Sequence, residues 1–507
     1  MHTEGHRWEL CRRVAALCDE VRFPETHLQD QVRSIRRRLA EPLRIAVAGR
    51  VSAGKSTTVN ALLATQIAPV GRGETTKLVA SFAHDEVESV TLVLRGGERQ
   101  EVYLDPAGRL PGELPRPAEE VDHIDVRIPY APALRSATII DTPGISSVRP
   151  EASGRTVELL FSRDSRKAVA GADALLFLLH GHADEAEALG SFQDLVGTAS
   201  ACCVNAIGVI SQADKLGDRR SPMDAARRIA DRLSGEPALR TRLATVIPLL
   251  ALVAETIETG AFAHEEEMSL AALAGEDELE LEDLLASAED LLDGDCSIEH
   301  QMRERLIAKL DMFGIRAAVG ALKQGADPSD LRDYLYELSG MPALKALIAD
   351  LFTRRADLLK ADQALSSLER LTYQSRTETS LSLRTGIEEL RLSPPMHAVR
   401  EMRALSHHAQ GRVEDLPEWL IDGLLRMTRE TAVAARLGLD SDADADTVTA
   451  AALEGAMACR MYSNGNAPTV CHRWIADTLR RSYELLLDDV AHPERRDVSA
   501  QHSIASY

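Results

Sequence analysis

Cysteine is scarce in this chain and shows no organisation. The seven residues are Cys11, Cys18, Cys202, Cys203, Cys296, Cys459 and Cys471. The number is odd and none falls in a two-residue pair spacing. Neither a zinc ribbon nor a disulfide framework is expected, and free thiols in a reducing compartment are. Basic charge is also short: 58 Lys and Arg face 79 Asp and Glu, for a formal net charge of -21. That balance excludes the basic footprint of a nucleic-acid binder, and electrostatic docking on anionic lipid would need a local basic patch. A long apolar run is missing as well. The longest, 243–254, is 12 residues with Thr245 and Pro248 inside it, too short to span a bilayer. The opening MHTEGHRWELCRR holds no apolar signal core. The expectation is a cytoplasmic protein, soluble or peripheral on the inner face of the cell membrane. Its 507 residues exceed one ordinary core, so two or three domains are expected.

What the chain does carry is concentrated in 43–60, LRIAVAGRVSAGKSTTVN. An apolar run precedes Gly49, four residues (Arg50, Val51, Ser52, Ala53) separate it from Gly54-Lys55-Ser56, and Thr57 opens a helical pattern. Strand, glycine loop and helix start together form a phosphate-binding loop. Gly49 and Gly54 let successive N–H groups turn toward phosphate oxygens, and the helix N-terminus adds partial positive charge. Lys55 is placed for the β- and γ-phosphates and the Ser56 hydroxyl for Mg²⁺. A second element follows the buried run 137–140: Asp141-Thr142-Pro143-Gly144. Asp141 suits a Mg²⁺ held through water, and the Gly144 N–H suits the γ-phosphate. After the run 205–210, Ser211-Gln212-Ala213-Asp214 places a carboxylate that can accept both guanine N1–H and the 2-amino group, a pair that adenine lacks. The alternative for Asp214 is a helix cap.

Strand and helix signals alternate from Leu43 to about 254, with Gly96-Gly97 marking a β-hairpin and helical patterns at 153–170, 186–196 and 223–233. That predicts a doubly wound α/β head with a mixed sheet. Residues 7–21 and 26–40 read as helices; Leu28, Val32, Ile35 and Leu39 form one apolar stripe, and Arg33, Arg36, Arg37 and Arg38 a solvated face. From 256 the pattern is helical throughout. Acidic amphipathic helices fill 255–302, and long stripes cover 303–322 and 344–371. Residues 372–382 are polar and Ser/Thr-rich, Ser393-Pro394-Pro395 ends a helix, and 372–396 is the candidate lipid-contacting loop, with an exposed loop without a lipid role as the alternative. Residues 440–446 alternate Asp as in a calcium loop but lack its Gly and terminal Glu. The expected division is 1–42, N-terminal helices joining the bundle; 43–255, the nucleotide domain; and 256–507, an all-α neck and trunk.

Gly49 to Ser56, Val59-Asn60-Ala61-Leu62-Leu63, Pro69-Val70-Gly71, Thr75-Thr76 and Asp141 to Gly144 resemble the dynamin-like GTPases. A β-hairpin lengthens the interval between Lys55 and Asp141, as in that family. The segments 311–316, 355–361 and 435–440 resemble the actinobacterial isoniazid-inducible dynamin-like proteins. The resemblance implies a P-loop GTPase head on a helical neck and trunk, GTP with Mg²⁺, dimerisation through the heads, a second dynamin-like partner and membrane remodelling. It assigns phosphate and Mg²⁺ to Lys55 and Ser56, and the switch threonine to Thr76, with Thr75 as the alternative. It assigns γ-phosphate sensing to Asp141 and Gly144, and base reading to Ser211, Gln212 and Asp214.

Three departures bear on catalysis. Val51 stands where dynamins carry a Gln, Ile145 follows Gly144, and Ser211-Gln212 lack the base-packing Lys. These favour slow turnover, and a second reading as a GTP-binding scaffold for protein partners. A P-loop ATPase is the third, disfavoured by Asp214 and Thr75-Thr76.

Overall fold

The structure, a computed structural model, describes residues 8–50, 52–69, 78–143, 171–180, 205–216, 222–236, 239, 242–375, 377–409, 413, 415–430 and 432–491. Val51, Thr75, Thr76, Gly144, Ile145, Cys202, Cys203 and the helical patterns at 153–170 and 186–196 lie outside them.

Among the described residues nine strands form one mixed sheet in the order β4-β3-β5-β2-β6-β1-β7-β8-β9. They are β1 Leu43–Gly49, β2 Ala80–His84, β3 Ser89–Leu94, β4 Arg99–Val102, β5 Val121–Ile128, β6 Ala137–Asp141, β7 Ala174–Leu179, β8 Ala206–Ile210 and β9 Thr245–Pro248. β6, β1, β7, β8 and β9 run parallel. Every residue of β6, β7 and β8 is buried, as expected of strands covered on both faces. β3 alternates buried and half-buried residues, so it shows one face to the core. The β3–β4 hairpin turns at Gly97, whose φ of 86° is a left-handed conformation that glycine adopts without strain.

The helices used below are α1 Glu9–Glu20, α2 Thr26–Arg38, α3 Lys55–Leu63, α4 Pro222–Gly235, α5 Ala251–Glu258, α6 His264–Ala274, α7 Glu278–Leu284, α8 Ala288–Asp293, α9 His300–Lys323, α10 Leu331–Ser339 and α11 Met341–Leu347. The C-terminal half adds α12 Ala356–Thr372, α13 Glu378–Leu392, α14 His397–Ala409, α15 Glu418–Arg429, α16 Val433–Leu437, α17 Ala445–Met461 and α18 Val470–Ala491. The fold is thus a mixed-sheet α/β head with a large helical region. Among the described residues no helix is long and apolar enough to cross a membrane.

The N-terminal helices pack on the C-terminal half. The buried stripe of α1 (Leu10, Val14, Cys18) and Leu28 and Val32 of α2 share one core with Leu365 and Leu368 of α12 and Leu383 and Ile387 of α13. Trp8 gives α1 no side-chain cap. Instead the Asp357 carboxylate accepts from Leu10 N–H at 2.9 Å and Cys11 N–H at 2.8 Å. A helix N-terminus leaves such donors orphaned, and an anion there also meets the helix dipole. Lys360 donates to Leu39 O at 3.0 Å and to Glu41 O, and lies 4.7 Å over the Trp8 ring. Asp357→Ala should therefore lower stability by about 1–2 kcal/mol, the usual cost of losing a cap. Urea unfolding checks this, and an unchanged midpoint would show that the cap contributes nothing.

The structure corrects four expectations. The stretch 372–396 is mainly helix α13. Thr377 caps its start, and Leu383 is 1% exposed against the α1 side of the bundle while Leu381 is exposed, so the stretch is not a loop and Leu383 is not free to meet lipid. The stripe 344–371 is not one helix: a π turn at Ile348–Thr353 separates α11 from α12. Arg38 is not solvated, because it donates to Gly171 O and sits 3.8 Å from Asp173. Glu266, in the acidic stretch, is fully buried and pairs with Lys309 at 2.5 Å and Arg305 at 2.6 Å. Isolated charges are rarely buried unless paired in this way.

Candidate nucleotide site

The site forms at the C-terminal edge of the parallel strands, where β1 gives way to α3. Gly49 lies beside Leu178 of β7. A Cβ there would come 2.7 Å from Leu178 O, so only glycine fits. Gly54, with φ 75°, turns the chain into α3. Between them Ser52 takes a left-handed φ of 62°, uncommon outside glycine. It is held there from outside the loop: Gln212 Nε2 donates to Ser52 O at 2.7 Å, and Ser211 Oγ donates to Ala53 O. The two residues expected to face the base thus clamp the phosphate loop through its carbonyls. Thr57 follows within the first turn of α3, and Thr58 Oγ1 donates to Gly54 O at 2.9 Å.

Lys55 is buried and donates to Gly49 O at 3.2 Å and Arg50 O at 2.7 Å. Asp141, at the end of β6, accepts from Ser56 Oγ at 3.0 Å through Oδ2. Its other oxygen, Oδ1, is buried without a hydrogen-bond partner among the described residues. Such an atom normally costs about 1–3 kcal/mol and calls for a missing partner. A carboxylate and a hydroxyl oxygen are hard donors of the kind that suit Mg²⁺. Thr142, not singled out from sequence, fixes the segment after Asp141 by donating N–H and Oγ1 to Val47 O at 3.2 and 2.8 Å.

Burial takes water from both charges. It pulls the Lys55 ammonium down to about 8, with Asp141 opposing. It pushes the Asp141 carboxyl up to about 6, against Lys55, the Ser56 hydroxyl and the Thr142 N–H. A carboxyl with a raised folded pKa binds its proton more tightly folded than unfolded. The fold then loses stability as pH rises from the unfolded value near 4 to about 6. Asp141→Asn should therefore stabilise the nucleotide-free protein at neutral pH by about 1–3 kcal/mol. The gain should shrink toward zero as pH falls to about 4. Denaturant unfolding at the two pH values checks it, and an equal gain at both would contradict the assignment.

Asp214 lies in a single turn after β8, half-buried. Its carboxyl is pushed up by burial and by Asp311, with Lys215 opposing. Asp311 was not visible as a site residue in sequence, since it sits inside an apolar stripe between Leu310 and Met312. The structure breaks α9 there: Asp311 has φ 55° and ψ 172°, and Thr256 Oγ1 takes up the nearby Lys309 O at 2.6 Å. That backbone region is nearly glycine-only and persists where surroundings over-determine it. Ala213 and Leu250 share a core with Leu310 and Met312, so the base side of the head packs directly on α9. A second unforeseen contact joins Asn60 of α3 to Glu255 of α5 at 2.7 Å. Asn60 also exchanges bonds with Ala68 at 3.1 and 2.8 Å, just before residues 70–77.

A strand, a glycine loop, a helix and an acid facing its serine define a P-loop nucleotide-binding head. The model of the dynamin family matches residues 45–212. The chain is also 37% identical over 422 residues to the isoniazid-induced protein IniC of Mycobacterium tuberculosis, a match spanning 81% of this chain and 83% of that protein. The chain belongs to the dynamin family and is a dynamin-like GTPase. An uncharacterised protein of Caldicellulosiruptor sp. is 26% identical over 123 residues, 24% of this chain and 31% of its own. Among solved structures, an oligomerised bacterial dynamin pair, described as sensing and tethering membranes, matches 97% of this chain and 93% of its own. The identity there is 12% and the TM-score 0.32.

Proposed function

We propose that this GTPase binds GTP with Mg²⁺ at the loop 49–56, hydrolyses it slowly, and couples the nucleotide state to self-assembly and membrane binding. Lys55 neutralises the β- and γ-phosphates, Ser56 and Asp141 hold the metal, and Asp214 reads the guanine. Bound Mg²⁺ supplies charge neutralisation between the phosphates. Thr76 and Gly144, outside the described residues, close on the γ-phosphate. The observation that carries the metal and phosphate roles is the buried, unpartnered Asp141 Oδ1 beside Ser56 and Lys55.

Coupling is supported by two junctions at different places on the head. Lys360, Asp173 and Arg38 tie α2 and α12 to the strand ends away from the phosphates. At the base side, Leu250 N–H donates to Ser339 O at 2.9 Å, joining the loop after β9 to α10. A change of the loops on the γ-phosphate then reaches the helices as a rigid tilt. We place the protein in the cytoplasm, peripheral on the inner membrane face, pairing through its heads and with a second dynamin-like protein. Residues 1–42 and 256–507 form the neck and trunk, and 43–255 the head.

Steady-state GTP turnover with and without liposomes tests the reading. Slow basal turnover that liposomes raise supports it. The absence of turnover under both conditions, with GTP still bound, favours the scaffold reading that Val51 and Ile145 suggest.

A further inference from the structure

The break in α9 falls where the helices meet the base side of the head. Asp311 has φ 55° and ψ 172° inside an otherwise helical run, a backbone region nearly reserved for glycine. Its surroundings hold it there. Thr256 Oγ1 of α5 donates to Lys309 O, just before the break, at 2.6 Å. Just past it, a Cβ at Gly314 would come 3.2 Å from Val253 Cγ2, so α9 lies tight against α5. Leu310 and Met312, on either side of Asp311, share one core with Ala213 and Leu250. Ala213 opens the turn that carries Asp214, and Leu250 is bridged to Gln212 just before that turn. Packing thereby fixes Asp311 at the element that holds Asp214.

A cap accounts for only part of Asp311. Its Oδ1 accepts from Met312 N–H at 2.5 Å, as an N-cap would for the second half of α9. Asn, Ser or Gly would serve there without charge. The charge comes at a cost. Asp311 is half-buried, no ion pair among the described residues includes it, and it adds to burial in pushing the Asp214 carboxyl up. Lys215 opposes, but it is exposed. Two carboxylates held near each other in this way suit a ligand rich in hydrogen-bond donors. Guanine carries three such hydrogens along one edge, N1–H and the two of its 2-amino group. One carboxylate takes N1–H and one amino hydrogen, which leaves the outer amino hydrogen for a second acceptor. The ribose hydroxyls, the other donors of the nucleoside, lie away from that edge.

We propose that Asp311 is a second specificity-determining residue of the base site and accepts the outer hydrogen of the guanine 2-amino group. This role presupposes Asp214 as the reader of N1–H. It makes α9 part of the nucleotide site, so that a bound guanine ties this helix to the head. Adenine, without either donor group, leaves both carboxylates unpartnered.

Competition binding of GTP, ITP and ATP to the full chain tests it, on the parent, Asp311→Gly and Asp311→Asn. Inosine keeps N1–H and lacks the 2-amino group. GTP against ITP therefore reads the amino contact, and ITP against ATP reads the Asp214 contact. Glycine suits the backbone at 311 and removes the acceptor, while asparagine keeps an acceptor for Met312 N–H and removes the charge. Each variant should cut the preference for GTP over ITP by about tenfold, with ITP binding not weakened. Asp311→Asn should also melt at or above the parent, because it relieves Asp214 of a like charge. An unchanged GTP-to-ITP ratio in the folded variants would reduce Asp311 to a cap and overturn the proposal. Equal loss of GTP and ITP would show a structural or ribose role and overturn it as well. A parent without preference for ITP over ATP would overturn the reading of Asp214, and the role of Asp311 with it.

Discussion

Replacing Lys55 with alanine should abolish GTP turnover and weaken GTP binding by about 10²–10⁴-fold while the chain stays folded. The ammonium is buried in the loop and already rests on Gly49 O and Arg50 O. Two charge-assisted hydrogen bonds to phosphate contribute about 1.5–3 kcal/mol each, which sets that range. Stability should change little, because the substitution removes a buried charge as well as two bonds. Burial already pulls this ammonium down to about 8, a sign that its charged form is costly without a ligand. Titration of a fluorescent GTP analogue and circular dichroism check the two halves. A folded variant with parental binding would show that the loop does not hold phosphate.

The second large effect concerns the base. Asp214→Asn should cut the preference for GTP over ATP by about 10²-fold, because an amide presents one acceptor where guanine offers two donors. In the nucleotide-free protein the Asp214 carboxyl is pushed up by burial and by the neighbouring Asp311. The two guanine donors offset that cost in the complex, and adenine leaves it standing. Competition between GTP and ATP on parent and variant measures it. Equal affinities in the parent would remove Asp214 from the base site.

Particular residues show why some of this was legible in sequence. The parallel strands announce themselves because β7 and β8 are buried along their whole length and are apolar throughout. The loop 49–56 is legible because phosphate binding fixes glycine, lysine and serine at set spacings. The mixed-sheet head and the helical region follow from those patterns. The stretch 372–396 misled because its hydroxyls suggested a loop. Its true signal was Thr377 as a cap followed by Leu383, Ile387 and Leu390 on one helical face. Other features have no local signature. Asp357 caps a helix more than 340 residues away, and Asp311 acquires its place only where α9 breaks against α5. The clamp of Ser211 and Gln212 on Ser52 and Ala53 likewise needs the fold to bring distant segments together.

The nucleotide state of the head should control engagement of a membrane by the helices. Co-sedimentation with anionic liposomes, in the presence of a non-hydrolysable GTP analogue and then of GDP, tests it most directly. The protein should pellet with liposomes under the analogue and be largely released under GDP, with Lys55→Ala indifferent to either nucleotide. Equal pelleting in both states, or none in either, would contradict it.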